Sequence, residues 1–185
     1  MINIPAIYQG QLETLDKIKV SPLSRAYTFS DSIYEVIPYF SGKPLCFKEH
    51  IDRMKVSSNL MALDVNFERV VDDIKVLADT LTNQDGYVYY QISRGIDLVR
   101  SHLYSDDLEI ERFGYAMHMS LPSSPVSAML CHDERWGKCN IKSTSLLGNI
   151  LAMNQAKSLG CQEVVMQKDG FMTEAGASNV FYFDS

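Results

Sequence analysis

The segment from Met129 to Phe183 constrains the fold most strongly, because its sequence alternates between strand and helix patterns. The elements that this segment predicts, in chain order, are a strand at 129–132, a helix from Leu147 to Leu159, strands at 163–167 and 171–174, and a further strand at 179–183. Gly160 is a typical helix stop, and Asp169-Gly170 is a strong two-residue hairpin signal. A strand, a helix and a hairpin in this order favour a domain that mixes helices with a sheet.

The residues before this segment predict another group of strands together with two helices. The predicted elements are a hairpin within residues 1–20, strands at 33–39 and 45–47, helices at 47–61 and 66–82, and strands at 87–93 and 115–119. Between the two groups, residues 121–127 place prolines around serines and show no periodicity, which predicts a linker. We therefore expect an α+β domain over residues 1–120, the linker at 121–127, and the start of another domain over 128–185.

The composition, with 46% hydrophobic and 22% charged residues, is that of an ordinary soluble globular chain. The net charge of −6 argues against a nucleic-acid surface, and no apolar run is long enough to span a bilayer. The N-terminus lacks a basic start followed by an apolar core, so we expect no signal peptide and a cytoplasmic location. The four cysteines show no CxxC pair and no zinc-like spacing with the four histidines, so we expect no metal site.

Two residues of the C-terminal segment can carry chemistry. Lys142 lies between a strand-like segment and a helix, where partial loss of hydration would lower the pKa of its amine and leave it nucleophilic. Glu174 follows the Asp169-Gly170 turn, and a carboxylate can hold a proton on a pyridine nitrogen. Taken singly, each residue is more often a surface charge, so neither predicts a site without the other.

Two further pairs of residues can bind anions. His50 and Arg53 are three residues apart on a predicted helix and share a face, so Arg53 is either salt-bridged or an anion clamp. Arg100 and His102 are two residues apart, and in an extended segment they would point to the same side and could face one anion together. The alternative, two exposed polar loop residues, stays open at this point.

A series of different short motifs is distributed along most of the chain. They are Tyr34-Glu35-Val36, His50-Ile51-Asp52-Arg53, Arg135-Trp136, Cys139-Asn140-Ile141-Lys142-Ser143, Leu146-Leu147, Ala156-Lys157, Asp169-Gly170, Thr173-Glu174 and Ser178-Asn179-Val180-Phe181. These motifs resemble those of the class IV family of pyridoxal 5'-phosphate (PLP) aminotransferases, and within it those of bacterial D-amino acid aminotransferases. The resemblance implies PLP fold type IV, with a small α/β N-terminal domain and a second, pseudo-barrel domain.

The resemblance also implies roles for residues around the cofactor. Lys142 would form a Schiff base with PLP and then carry a proton between the substrate carbon and the cofactor. Glu174 would keep the pyridine nitrogen protonated, and Arg53 would bind the phosphate. Ser178 and Asn179 would complete the set of cofactor-binding residues.

For the substrate, the resemblance implies a carboxylate trap made of Tyr34, Arg100 and His102. In that family the Arg-x-His loop reaches across a homodimer interface, so we expect this chain to form a homodimer. The expected reaction is a transamination in which a D-alanine-like D-amino acid gives its amino group to the cofactor and a 2-oxo acid takes it back.

The chain departs from the family pattern in three places. Ser32 and Ile33 stand where Gly and Val are common, and Ala175 and Ala177 stand in a region that is usually richer in Gly and Ser. The family also continues for about another third of its length beyond the position of Ser185, so we expect the pseudo-barrel to be incomplete.

Two other functions stay open at the level of the sequence. The first is an aminodeoxychorismate lyase of the same family, which would share Lys142, Glu174 and Arg53 but would not need the Arg-x-His loop. The second is a truncated, non-catalytic remnant. The presence of Arg100 and His102 favours the aminotransferase over the lyase.

Overall fold

The computed structural model describes residues 3–120 and 124–183. The chain divides into two compact units: the first comprises Met1–Ser120 and Asn140–Ser145, and the second comprises Leu121–Cys139 and Leu146–Ser185. The contacts of Asn140–Ser145 are therefore with the first unit, although this segment lies within the range expected for the second domain. The expected linker lies partly outside the described residues, and the division into two domains stays a prediction.

The first unit is built on a six-stranded sheet with two longer helices. Its elements are β1 (Pro5–Tyr8), β2 (Gln11–Thr14), a 3-10 turn (Leu15–Lys17), α1 (Arg25–Phe29), β3 (Ser32–Phe40), β4 (Lys43–Pro44), α2 (Phe47–Leu60), α3 (Phe67–Asp79), β5 (Gly86–Ser93) and β6 (Glu111–His118). The strand order is β2-β1-β6-β5-β3-β4, and every paired strand is antiparallel to its neighbour.

Burial alternates along the strands, because the helices cover one face of this sheet. In β3, Ile33, Glu35 and Ile37 are buried, whereas Tyr34 and Val36 between them are not. The helix α2 packs on β3, and α3 packs on β1, β5 and β6. The largest apolar side chains of this core include Met54, Val70, Ile74, Leu77, Tyr90 and Ile92. Glu35 is thus a carboxylate in a core position, which is unfavourable unless the charge is paired.

The second unit contains a three-stranded sheet and one helix. Its elements are β7 (Ala128–His132), α4 (Leu147–Ser158), β8 (Glu163–Lys168) and β9 (Phe171–Ala175). Strands β7 and β8 are parallel, and β8 and β9 form the predicted hairpin, with positive φ at both Asp169 and Gly170. Helices and sheets together confirm the α+β class.

The sequence predictions were wrong at four local positions. Residues 179–183 are not a strand, because they pair with no neighbouring strand in the part of the chain that the structure describes. The second half of the N-terminal hairpin gives way to a 3-10 turn after Thr14. Phe47 begins α2 instead of extending a strand, because Cys46 has a left-handed backbone with φ of 50°. The short helix α1 was not predicted at all.

The helices of the described ranges can also be compared with the thickness of a bilayer. None of them is both long enough and apolar enough to cross a membrane.

Candidate functional site

The segment that carries Lys142 lies along the edge of β3. The Tyr34 N–H donates to the Lys142 carbonyl at 2.9 Å, and the Thr144 N–H donates to the Ser32 carbonyl at 3.0 Å. An antiparallel bridge joins Ile33 to Ser143, which lies between Lys142 and Thr144, so the segment resembles one short extra strand. Its position follows from an open edge, because β5 occupies the other side of β3 and β4 pairs only with its far end.

A second contact fixes the same backbone from the helix α2. The Lys142 N–H donates to the Ser57 hydroxyl at 3.0 Å, and the Ser57 side chain is fully buried. The carbonyl of Lys142 is therefore held by β3 and its N–H by α2. Because the Lys142 backbone is held on both sides, its amine can only reach positions within the length of the lysine side chain.

The amine of Lys142 lies against a row of aromatic rings. Its Nζ is 4.6 Å from the centroid of the Tyr34 ring, a cation–π distance. Tyr34 stacks on Tyr89 at 5.6 Å, and Tyr89 stacks on Tyr115 at 5.0 Å. Burial raises the pKa of the Tyr89 and Tyr115 hydroxyls, so both phenols stay neutral. The arrangement places a primary amine beside a flat, partly dry surface.

Glu35 faces the opposite side of β3 and binds two basic residues of α2. Arg53 donates to it from Nε at 2.5 Å and from Nη2 at 2.6 Å, and the His50 Nδ1 lies 2.7 Å from the same carboxylate. Burial raises the pKa of Glu35, but the hydrogen bonds from Arg53 and His50 outweigh burial and hold this pKa below its ordinary value. The Glu35 side chain, which is 0% exposed, is thus an ionised group with its partners in place.

Arg53 keeps part of its guanidinium available for another partner. Its side chain is 47% exposed, and in the described residues its Nη1 makes no hydrogen bond. Both sequence interpretations of Arg53 are therefore compatible: the Nε and Nη2 side is salt-bridged to Glu35, and the Nη1 side is free to meet an anion.

Arg100 and His102 lie in the loop between β5 and β6, and both are exposed. The Arg100 guanidinium carbon is 4.9 Å from the centroid of the Phe29 ring, and the His102 ring centroid is 5.5 Å from it. The structure thus brings the two residues to one ring. Within the described parts of the chain, no hydrogen bond or ring contact joins Tyr34 to either of them.

In the second unit, Glu174 projects from β9 and forms an ion pair with Arg135. The Arg135 guanidinium also donates to Asp133, from Nε at 2.9 Å and from Nη2 at 2.8 Å, and the Thr173 hydroxyl donates to Asp133 at 2.7 Å. The side-chain hydrogen bond from Arg135 holds the pKa of Asp133 well below its ordinary range. Arg135 is therefore fixed by Asp133 and in turn orients Glu174.

Ser178 and Asn179 follow β9 in a stretch without regular structure. The Ser178 hydroxyl donates to Glu163 at 2.5 Å, and the Gly176 N–H donates to the other oxygen of the same carboxylate at 3.0 Å. Burial raises the pKa of Glu163, but these bonds and others from the backbone hold it below its ordinary value. Asn179 is exposed. Among the described residues, no hydrogen bond joins the Asn179 side chain to Glu174 or to its neighbour Ser178.

With this geometry in place, the chain can be compared with known proteins. The family model for amino-transferase class IV matches residues 32–185, which is most of the chain. The chain belongs to the class IV aminotransferase family. Class IV aminotransferases are PLP-dependent, so PLP is the cofactor of the family. The family resemblance of the sequence motifs is confirmed.

Relatives of this class IV aminotransferase chain include D-alanine aminotransferases. The protein of Listeria innocua is 34% identical over 166 residues, which cover 84% of this chain and 57% of the relative. The protein of Bacillus licheniformis is 31% identical over 181 residues, which cover 95% of this chain and 64% of the relative. The chain thus spans between 57% and 64% of the length of these two relatives.

Solved structures of the family share the fold. The branched-chain aminotransferase of Thermoproteus uzoniensis with norvaline has a TM-score of 0.78 at 20% identity, and the match covers 94% of this chain and 63% of that one. A hypothetical aminotransferase of Mycobacterium tuberculosis in its PLP-bound form has a TM-score of 0.78 at 15% identity, covering 93% and 65%. These matches confirm PLP fold type IV.

Sequence reasoning missed three supporting residues of the site. Glu35 could have been found, because it occupies the buried phase of β3 between two isoleucines, where an acid needs a partner. Asp133 comes two residues before Arg135, which offers only a weak signal. Ser57 gives no signal, since its hydroxyl accepts a hydrogen bond from a backbone N–H that lies 85 residues further along the chain.

The Glu35 ion pair predicts a pH-dependent stability. The pKa of Glu35 lies below its ordinary value of 4.5 in the folded chain, so the ionised group stabilises the fold above pH 4.5. This contribution is lost as the pH falls through the folded-state pKa. We expect the wild type to exceed Glu35→Gln in free energy of unfolding at pH 6, and the difference to shrink below pH 4.5 in urea titrations.

The matched control is Glu49→Gln, which changes an exposed carboxylate on α2, the helix that carries His50 and Arg53. This control should change the free energy of unfolding little at any pH. A wild-type advantage over Glu35→Gln that is equal at both ends of the pH range would contradict the role of Glu35 as an ionised, paired group.

The anchoring of Lys142 can be measured through its own amide. Ser57→Ala removes the acceptor of the Lys142 N–H, so hydrogen exchange at this amide should become about fivefold faster, as expected for one lost hydrogen bond. Ser58→Ala is the matched control, since Ser58 is a buried serine of the same helix whose hydroxyl donates to the Leu63 carbonyl. Equal exchange in the wild type and Ser57→Ala would show that α2 does not hold this backbone.

Proposed function

We propose that this chain carries out PLP-dependent transamination between a D-alanine-like D-amino acid and a 2-oxo acid. The observation that carries the proposal is the anchoring of Lys142, whose backbone is held by β3 and α2 and whose amine lies over Tyr34. The D-amino acid donor is supported by the similarity to the D-alanine aminotransferases of Listeria innocua and Bacillus licheniformis.

The residues fit the three functional groups of PLP. An aldehyde calls for an amine, a phosphate calls for a guanidinium, and a pyridine nitrogen calls for a carboxylate. Lys142, Arg53 and Glu174 supply these partners. Arg53 suits a phosphate because Glu35 holds one side of its guanidinium while Nη1 stays open. When bound, PLP supplies an electron sink for the electron pair left when a substrate carbon loses its proton.

In this proposal Lys142 has two tasks. Its amine would be the point of covalent attachment for the cofactor, and once released it would take a proton from the substrate carbon and deliver it to the cofactor. The Tyr34 ring beneath the amine keeps water from one side of it. A fixed backbone suits both tasks, because proton transfer requires the amine to return to one place.

The second unit contributes Glu174, Ser178 and Asn179 to the proposal. Glu174 would keep the pyridine nitrogen protonated, and its orientation by Arg135 and Asp133 supports a fixed direction for this carboxylate. Ser178 and Asn179 would add polar contacts to the cofactor.

The substrate carboxylate would be bound by Tyr34, Arg100 and His102. A guanidinium, an imidazole and a phenol can all donate to a carboxylate. We propose that the loop of one copy serves Tyr34 of another in a homodimer, in keeping with the lack of contact between Tyr34 and the loop in one described chain. We place this activity in the cytoplasm.

An aminodeoxychorismate lyase would need Lys142, Glu174 and Arg53 in the same roles. It would leave Arg100 and His102 without a task, although the structure holds both against one ring. The geometry of this pair therefore favours the transamination.

The proposal predicts a covalent adduct at one lysine. After PLP is added to the purified chain and the mixture is reduced with borohydride, peptide mass spectrometry should find the label on Lys142. Lys142→Ala should abolish this label, and Lys138→Ala, which removes an exposed lysine of the preceding turn, should leave it unchanged. A label spread over exposed lysines and absent from Lys142 would contradict the proposal.

Substrates then decide between the two enzyme classes. The loaded chain should convert D-alanine and 2-oxoglutarate to pyruvate and glutamate, and it should not form 4-aminobenzoate from aminodeoxychorismate. The opposite result would favour the lyase. A chain that binds no PLP and converts neither substrate would favour the non-catalytic remnant.

A further inference from the structure

We infer that Phe29 and Arg25, both in the short helix α1, are positioning residues that hold Arg100 and His102 as a pair for the substrate carboxylate. Neither residue belongs to the motifs that predicted the site. The inference rests on the proposed function, since it explains how the carboxylate-binding pair is fixed in place.

The first observation is the contact with Phe29. The guanidinium of Arg100 and the imidazole of His102 both lie against this ring, at 4.9 Å and 5.5 Å between centres. A flat ring that touches both side chains limits their rotation and keeps them near each other. Without the ring, two exposed side chains on a loop would be free to sample several rotamers in solvent.

The second observation concerns the backbone between the two residues. The Arg25 Nη1 donates to the Ser101 carbonyl at 2.8 Å, and the Arg25 side chain is only 4% exposed. The Ser101 N–H in turn donates to the Val99 carbonyl at 2.9 Å, which closes a tight turn centred on Arg100. Arg25 therefore fixes the peptide that links Arg100 to His102.

The charges of this region are distributed unevenly. Arg25 is compensated, because its Nε lies 2.8 Å from Asp31 and its Nη1 lies 3.8 Å from Asp97. Arg100, in contrast, forms no ion pair with any residue in the described ranges. The positive charge that remains available is therefore that of Arg100, at the exposed end of the cluster, where an anion can reach it.

The ends of the loop are anchored as well. Asp97 accepts hydrogen bonds from the N–H groups of Val99 and Ser105, at 3.3 Å and 3.2 Å. The backbone bond of Val99 and the other bonds to the carboxylate hold the pKa of Asp97 below its ordinary value. The Arg94 guanidinium lies 3.9 Å from the centre of the Tyr104 ring. With both ends held, the tip presents Arg100 and His102 in one arrangement before a substrate arrives.

Preorganisation of this kind strengthens binding and leaves the chemical step unchanged. A carboxylate that meets a prearranged pair does not have to order two free side chains, so less binding free energy is lost. The amine chemistry at Lys142 does not involve the loop. Loss of Phe29 should therefore weaken the binding of substrates that carry a carboxylate, without changing the maximal rate.

The test is Phe29→Leu, which removes the ring and keeps an apolar side chain. In single-turnover reactions of the PLP-loaded chain with D-alanine, the apparent Kd should rise about fivefold and the maximal rate should change less than about twofold. The reaction with ethylamine, which lacks the carboxylate, should not change. The matched control is Phe67→Leu. This change removes another half-buried ring that lies against a cation, the Lys55 amine, and the variant should behave as wild type.

A double substitution shows whether Phe29 acts through Arg100. Arg100→Leu should raise the apparent Kd for D-alanine more than Phe29→Leu does, and Phe29→Leu should have a clearly smaller effect in the Arg100→Leu background, where the ring has only His102 left to position. An additive effect of the two changes would overturn the inference, since it would mean that Phe29 acts independently of the pair.

A second readout needs no activity. Trypsin should cleave the chain after Arg100 about fivefold faster in Phe29→Leu than in the wild type or Phe67→Leu, because the tip of the loop is no longer held. Equal cleavage in all three would overturn the positioning role. If Arg100→Leu leaves the apparent Kd for D-alanine unchanged, or if the wild type does not react with D-alanine, the proposed function fails. The tryptic comparison still decides whether Phe29 holds the loop.

Discussion

The pairing of a six-residue segment with the edge of β3 is the interaction on which the rest of the site depends. Lys142 lies in the connection between β7 and α4, and its backbone is hydrogen-bonded to Tyr34 on one side and to Ser57 on the other. Each of these hydrogen bonds contributes only about 1 kcal/mol. Their importance is geometric, because together they determine where a single flexible amine can reach.

The buried carboxylate of Glu35 is the second constraint, and it depends on the same strand. Consecutive residues of β3 point to opposite faces, so Tyr34 meets the amine of Lys142 while Glu35 meets Arg53 and His50. A carboxylate in a core is unfavourable by several kcal/mol if it lacks partners. This penalty means that Arg53 cannot leave Glu35 freely, and its guanidinium keeps one direction. Neighbouring residues of one strand thus hold an amine and a guanidinium in place.

The sequence predicted what depends on local pattern. The helices α2 and α3, strand β5, the hairpin at Asp169-Gly170 and the α+β class all follow from periodicity and turn chemistry. The strand at 179–183 and the short helix α1 were predicted wrongly or missed, because both depend on long-range contacts that periodicity does not contain. The same reason hides Ser57 and Phe29, whose contributions come from residues 85 and 73 positions away in the chain. The roles of Lys142, Arg53 and Glu174 came from the family motifs, and their assignment to this chain is a proposal.

The central claim is that Lys142 and Arg53 act on one cofactor, the first through its aldehyde and the second through its phosphate. The most direct measurement is a titration of the chain with PLP and with pyridoxal, which has the same ring and aldehyde but no phosphate, followed by absorbance. The account predicts that the wild type prefers PLP by about tenfold or more, and that Arg53→Gln removes this preference while pyridoxal binding changes little. Because the ratio is taken within each variant, a general loss of stability cancels. Equal affinity of the wild type for PLP and pyridoxal, or a preference that survives in Arg53→Gln, would contradict the account.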